Sequence, residues 1–327
     1  MALASFSGPI ELSVVVPVYG CEDCLDALHK RIVLACEQVT DHFEVIYVDD
    51  RSPDSAWDKL QEISIDPHVR AIRFTRNFGQ QAAITAGLEH ARGQWTAVMD
   101  CDLEDPPELI PQLWSAAHSG HDVVIARRGR KDRGVRRRIG GWLYFRGLKT
   151  FLGTEIDPSL GSYSIVSERA RVAFLQVRDV DRHYIPILAW IGFDQAYIDY
   201  SHEERFAGQS AYGFRDLVRV ALEGMFFQTT TLLRYVIYLG FAVSLAGLLL
   251  AAYYLYTYVF SDALPGFTTI AVLVICLSGF IIVSLGVTGL YIGRIFQQVK
   301  GRPLYLVEEE LEAAKPAEEI ASLDSAP

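Results

Sequence analysis

Three carboxylates fall at alternate positions in "MDCDLE", at Asp100, Asp102 and Glu104, and Asp105 follows directly. A hard divalent cation takes oxygen ligands, and Mg2+ or Mn2+ commonly sits between carboxylates and substrate phosphates. Asp100 and Asp102 are two apart, so on a regular strand they share a face. The plainer alternative is an acidic loop leading into a capped helix, since two prolines come next. Context bears on the choice. The acidic cluster ends an apolar run, "WTAVM", and a second apolar run, "FEVIYVDD" (43–50), also ends on paired carboxylates, Asp49 and Asp50.

The elements that must hold these groups are short and regular. "LSVVVPVY" (12–19), "FEVIYVDD" (43–50), "VRAIRF" (69–74), "WTAVMD" (95–100) and "DVVIA" (122–126) read as buried strands. Between them, Leu25, Leu28 and Ile32 recur at helical spacing, and "GQQAAITAGLEHA" (79–91) reads as a helix. This alternation predicts an α/β fold, a mainly parallel sheet with helices on both faces. Such sheets bind ligands beyond the carboxyl ends of their strands. "PVY", "VDD" and "MDCD" all sit at that edge, which favours a site over a chance acidic loop. No GxGxxG or GxxxxGK[ST] follows the first strand, against Rossmann dehydrogenases and P-loop enzymes.

The 327 residues allow one large domain and something smaller. A formal net charge of −10 excludes a general nucleic-acid binder. The charge is uneven. "RRGRKDRGVRRR" (127–138) carries eight basic residues, whereas the tail from Glu308 is mostly acidic and reads as a solvated end. The five cysteines lack disulfide-framework spacing. Cys21 and Cys24 form a CxxC with no second pair or histidines to complete a zinc site, so free cytosolic thiols are expected. "MALASFSGPIEL" has neither the charged start nor the apolar stretch of a signal peptide.

The last third changes character. Residues 235–260 and 267–292 are each 26 residues without a charge, against the roughly 20 that a spanning helix needs. Only "SDALPG" (261–266) separates them, which predicts a transmembrane hairpin. Arg234 precedes it, Arg294, Lys300 and Arg302 follow, and the turn has no Lys or Arg. The positive-inside rule then places both ends in the cytoplasm. Before the hairpin, "YGFRDLVRVALEGMFF" (212–227) carries one apolar stripe, as a core-facing or an interfacial helix would. The basic run leads into aromatic and apolar "GGWLYFRGLKTFLG" (140–153), a pattern suited to anionic lipid or to a solvated face.

Taken in order, "VVVPVYGCED", "VDDRSPDSAW", "RNFGQQAAITAGL", "MDCDLEDPPELI" and "ERFAGQSAYGFRDL", followed by a two-helix hairpin, resemble glycosyltransferase family 2. The likeness is to its polyprenyl-phosphate glycosyltransferase branch, the dolichol-phosphate-mannose-synthase-like enzymes, over roughly residues 10–300. It implies a GT-A (Rossmann-like) fold, a UDP- or GDP-sugar donor and a Mg2+ or Mn2+ ion. It further implies inverting transfer to a polyprenyl phosphate (undecaprenyl- or dolichyl-type) at the cytoplasmic leaflet, in the service of cell-envelope glycans. By motif, Pro17, Tyr19, Val48 and Asp50 would line the nucleotide pocket, with Glu22 beside them. Asp100 and Cys101 would contact the nucleotide sugar. Asp102, with Glu104 and Asp100, would hold the metal. Asp102 and Arg205 would carry catalysis, Arg205 by binding phosphate oxygens. Arg127, Arg128, Arg136, Arg137, Arg138 and Ser210 are candidates for the lipid phosphate. The implied organisation is a cytoplasmic catalytic domain (1–211), a juxtamembrane amphipathic helix (212–233), the hairpin (234–293) and a cytoplasmic acidic tail (294–327). A hairpin of this kind is able to support homo-oligomers.

The chain departs from the family pattern at named places. "YNE" reads Tyr19-Gly20-Cys21, with Glu22 one position late. "VDDGS" has Arg51 where glycine is usual. Glu104 replaces a glutamine. "GSYS" (161–164) stands where many relatives have Asp-Phe-Arg, so Ser162 takes an acidic position. Ala211 replaces the lysine of "GxSK". These leave room for a membrane-anchored nucleotide-sugar-binding partner without turnover. A processive polysaccharide synthase is the other alternative, but its Gln-x-x-Arg-Trp motif is missing and one hairpin makes no channel.

Overall fold

LSVVVPV, Leu12–Val18, is buried along its whole length and forms the central strand β1. A strand apolar on both faces needs cover on both, which is why its sequence runs rather than alternates. The computed structural model describes residues 8–129, 160–180, 182–200, 231–260 and 267–312. Of these, residues 8–129, 160–180, 182–200 and 302–312 fall in one compact unit, and residues 231–260 and 267–301 in the other.

In the first unit, β1 is followed by α1 (Glu22–Cys36), β2 (Phe43–Asp49), α2 (Ala56–Ile63), β3 (Val69–Phe74), α3 (Gln80–His90) and β4 (Trp95–Val98). After a short 3-10 turn come α4 (Ile110–His118) and β5 (Val123–Arg128). Beyond residue 159 lie β6 (Leu160–Ser167), α5 (Glu168–Gln176), α6 (Tyr184–Trp190) and β7 (Gln195–Tyr200), and Val307–Leu311 adds β8. The eight strands form one sheet in the order β7-β5-β6-β4-β1-β2-β3-β8. β4, β1, β2 and β3 are mutually parallel, with Leu12 opposite both Phe43 and Trp95. β6 runs antiparallel to β4 and β5, and β8 antiparallel to β3. The expected mainly parallel sheet with helices on both faces is present, with mixed pairing on its β6 side.

Each face has its own core. Leu25, Leu28 and Ile32 of α1 pack with Val14 and Val16 on one face, together with α2 and α4. Ala83, Ile84 and Leu88 of α3 pack with Val15 on the other, together with α5 and α6. The carboxyl ends of β1, β2 and β4 therefore open on one rim, with α3 starting beside them.

β8 corrects the reading of residues 308–311 as an unstructured end: they form an edge strand, although its glutamates remain exposed. Its glutamates meet cations that local composition does not reveal. Glu310 lies 3.1 Å from Arg70, itself paired with Glu44 at 3.4 Å. Glu309 accepts from the Trp57 indole at 3.2 Å, and Glu308 pairs with Arg51. Tyr305 stacks on Phe74 at 4.9 Å.

The second unit contributes α7 (Thr231–Phe260) and α8 (Phe267–Val299). They approach where Gly240 faces Phe280; a Cβ at 240 would lie 3.2 Å from that ring. Leu277–Val299, 23 residues of mean hydropathy 1.7 with none buried, is long and apolar enough to cross a membrane. Tyr235–Leu250 is a shorter apolar run. The qualifying stretch ends beyond residue 292 because the helix continues unbroken through Arg294.

Helix α3 sits on β1 through a glycine. A Cβ on Gly87 would fall 2.1 Å from Val15 Cγ1 and 3.0 Å from its Cγ2, so the helix or the strand would have to shift. Gly87→Ala is expected to destabilise the protein by about 1–3 kcal/mol through overpacking. A thermal melt that left the variant at the parent's midpoint would mean this contact is looser than drawn.

Candidate active site

β2 ends on two aspartates whose carboxylates take different partners. Asp49 Oδ1 accepts the Ser52 amide at 2.9 Å, and its Oδ2 lies 3.4 Å from Arg73 Nε. Asp50 accepts the Phe78 amide at 2.6 Å on one oxygen and the Gly79 amide at 2.8 Å on the other. Gly79, at φ +96°, makes the turn from which α3 starts. Burial pushes the Asp50 carboxyl up, and the two amides pull it back. Asp50, expected in a nucleotide pocket, thus has both oxygens engaged in setting the start of α3. Arg51 keeps the left-handed backbone of the glycine it replaces, at φ +58°.

β4 stops at Val98, earlier than the apolar run suggests. Met99 still donates to Val15 O at 3.1 Å, and the chain then turns, with Leu103 at φ +60°. Asp100 and Asp102 therefore owe their placement to a turn, and the shared strand face expected of them does not arise. Asp100 Oδ1 accepts from Gln80 Nε2 of α3 at 2.7 Å and from Ser162 Oγ of β6 at 2.7 Å. Three elements meet at that oxygen. Burial, then the charge of Asp105, pushes the Asp100 carboxyl up to about 6, against the pull of the Ser162 hydrogen bond. Asp102 Oδ1 accepts the Glu104 amide at 3.1 Å. The far end of the turn is anchored by Asp105, fully buried, which accepts from the Tyr200 hydroxyl and from Arg128 at 3.4 Å. Tyr163 donates to Pro106 O at 2.9 Å.

Gln80, Asp100, Arg128, Ser162 and His183 line a cavity of about 290 Å³. Burial pushes the His183 imidazole down. The other predicted residues are spread around this rim. Pro17 and Val48 are buried and face each other across the β1–β2 ladder, while Tyr19 is exposed beyond the end of β1. Glu22 ties α1 to the start of α2: its carboxylate accepts the Ser55 amide at 3.1 Å. Cys101 is disulfide-bonded to Cys21, which corrects the expectation of a free thiol at Cys21. Cys24 and Cys36 are free and buried. Arg127 is held bidentately by Asp199 at 2.5 and 2.9 Å, and Arg128 donates to Tyr200 as well as Asp105. Adjacent on β5, the two arginines go to different partners, and only Arg128 is among the cavity residues above. Arg136, Arg137, Arg138, Arg205 and Ser210 lie outside the described residues, as does the 212–227 helix.

Sequence reasoning passed over Gln80, Asp105, Tyr200 and His183 as site residues, and took Ser162 only as a departure. Gln80 had a signal, its place in "RNFGQQ" at a helix start. Asp105 stood in the acidic motif itself, as one more charge of the cluster, while Tyr200 and His183 come from a strand and a loop with no distinctive pattern. Among the described residues, no group of three or more His, Cys, Asp or Glu side chains is arranged to hold a metal unaided. The oxygen donors present at Asp100, Asp102 and Glu104 instead suit a hard cation that takes its remaining ligands from phosphates.

The family model for glycosyl transferase family 2 matches residues 13–174. The glycosyltransferase YkcC of Bacillus subtilis (strain 168) is 32% identical over 92% of this chain and 94% of its own. A prophage-derived bactoprenol glucosyl transferase of Shigella flexneri is 31% identical, covering 92% of this chain and 98% of the relative. An undecaprenyl-phosphate 4-deoxy-4-formamido-L-arabinose transferase of Pectobacterium carotovorum is 33% identical over 93% and 95%. The chain belongs to glycosyl transferase family 2. The resemblance to its polyprenyl-phosphate branch holds along nearly the whole length.

The raised Asp100 carboxyl has a stability consequence. Its folded value of about 6 exceeds the ordinary 3.8, so ionisation is harder in the folded protein than in the unfolded chain. The stability it contributes when protonated is complete below 3.8 and lost as pH rises through 6. Asn keeps a carbonyl for Gln80 and Ser162 without the charge. Metal-free Asp100→Asn should therefore melt several degrees above the parent at pH 8 and level with it near pH 3.5. A gap that did not change with pH would count against this account.

Proposed function

We propose that this glycosyltransferase moves a sugar from a UDP- or GDP-sugar to the phosphate of a membrane polyprenol, with inversion at the anomeric carbon. The observation that carries the reading is Asp100, oriented from both sides at a sheet's carboxyl rim beside Asp102, in a chain 31% identical to a bactoprenol glucosyl transferase.

The acceptor oxygen of a lipid phosphate is already anionic at neutral pH, so a strong general base is not required. That fits Ser162 at a position often acidic in relatives. Ser162 donates to Asp100 at 2.7 Å, where a second carboxylate would repel it. With Gln80 and Ser162 both on Oδ1, the other oxygen of Asp100 is left for the donor. Asp102, Glu104 and Asp100 are the residues that would hold Mg2+ or Mn2+, which when bound neutralises the leaving diphosphate. Arg128 lines the cavity beside Asp100, with its guanidinium paired to the buried Asp105 at 3.4 Å. Arg205 is assigned to donor phosphate oxygens, and Ser210 with Arg136–Arg138 to the lipid phosphate, by the motif likeness. The engagement of Arg127 by Asp199 makes it the weakest of the acceptor candidates.

Helices α7 and α8 are proposed as two membrane spans. The Arg and Lys at their outer ends then place the catalytic unit and both termini on the cytoplasmic side. Exposed Phe241, Leu248, Ile282 and Leu285 support this, since apolar surface of that extent calls for lipid or protein cover.

The test uses purified protein in detergent with Mn2+, polyprenyl phosphate and a panel of UDP- and GDP-sugars, UDP-glucose included. Nucleotide release together with a lipid heavier by one sugar is the expected result. Asp102→Asn should fold normally and lose about a hundredfold or more in turnover. Donor binding without release from any sugar would instead favour a binding partner without turnover.

A further inference from the structure

A departure from the family pattern and a residue of the acidic motif meet in space. Cys21 stands where "YNE" has its glutamate, and Cys101 is the middle residue of Asp100-Cys101-Asp102. Eighty residues apart, they are joined by a disulfide with a Cα–Cα distance of 6.5 Å. Either cysteine alone would leave a buried thiol; together they form a bond. Both residues are 8% exposed and belong to the core beneath the rim, with Val18, Cys24 and Leu103. The sulfurs are thus poorly placed to touch a nucleotide, as Cys101 was expected to do. Cys21 caps the start of α1, and Cys101 sits in the turn that carries Asp100 and Asp102. That turn is held before the bond by the Met99 amide and after it by Asp105 and Pro106. Asp102, in the middle, bonds the Glu104 amide within the same turn.

We propose that Cys21 and Cys101 are positioning residues for the donor seat: their disulfide pins the Asp100–Asp102 turn to the loop after β1, so donor affinity follows its redox state. The proposal rests on the reading of Asp102 as part of that seat. The oxidised form is the tight-binding one, because the link lies under the seat and restricts it without occupying it. A cytosolic disulfide of this kind is more often a sensor than a staple. Its formation transfers two electrons and two protons from the thiols to hydrogen peroxide, whose O–O bond breaks, giving the S–S bond and two waters. A dithiol reductant reverses it and leaves as a cyclic disulfide.

Full-length protein purified without reductant should be denatured, labelled with N-ethylmaleimide and weighed. Three of the five cysteines should label before reduction and all five after, with Cys21 and Cys101 in one cross-linked peptide. UDP and GDP binding with Mn2+ is then followed by calorimetry. Reduction should weaken binding about tenfold and peroxide should restore it. The donor KM should rise with kcat nearly constant. Cys21→Ser/Cys101→Ser should bind like the reduced protein and ignore both reagents, while Cys24→Ser keeps the parent's response. Reduced wild type serves if the double variant does not fold. Five labelled cysteines before reduction would overturn the proposal, as would equal affinity in the two states. Absence of nucleotide binding in both states would sink the donor-seat reading itself, and the proposal with it.

Discussion

Two backbone amides on one buried carboxylate hold the rim of this sheet together. Asp50 takes the Phe78 and Gly79 amides and so fixes where α3 begins. Hydrogen bonds to a charged group are worth about 1.5–3 kcal/mol each, enough to offset much of the cost of burying the charge. From that fixed start Gln80 reaches Asp100, and Ser162 reaches the same oxygen from the antiparallel side of the sheet. Side chains thus connect, at a single atom, strands that the backbone ladder joins lower down through β4 and β6. Loosening Asp50 would disturb Asp100 without touching it.

Much of the fold was legible because β1 to β5 are mostly buried apolar runs, and a buried run declares itself without partners. "LGSYSIVS" and "QAYIDY" did not, since small polar residues and alternating exposure blur any period. β8 was misread for a different reason. Three consecutive glutamates read as an unstructured end until Arg51, Arg70 and Trp57 are brought beside them from elsewhere in the chain. The site follows the same rule. Asp100 and Asp102 were visible as charges at a strand end. Gln80 and Ser162 are neutral and ordinary in type, and acquire a role only through tertiary placement. Cys21 and Cys101 obey no spacing rule that would pair them. Arg127 and Arg128 show the opposite error, in which local charge promised availability and Asp199 and Asp105 had already engaged it.

The chain combines two solvent regimes. Its first unit buries apolar side chains on both faces of a sheet, while α7 and α8 turn theirs outward. A water-soluble donor and a lipid acceptor, as proposed, demand such a division in one polypeptide.

The position of β8 in the sequence sets an order of assembly. Arg70 and its partner Glu310 are 240 residues apart, with both long helices translated between them. At about 5–20 residues per second, β3 waits on the order of 10–50 s on the ribosome for its neighbour. Throughout that interval it is an open edge, the kind of surface that recruits foreign strands, and Arg70 and Arg73 are the charges that guard it. The sheet closes only after the last apolar helix has left the ribosome, so completion of the catalytic unit is a late event in the life of the nascent chain.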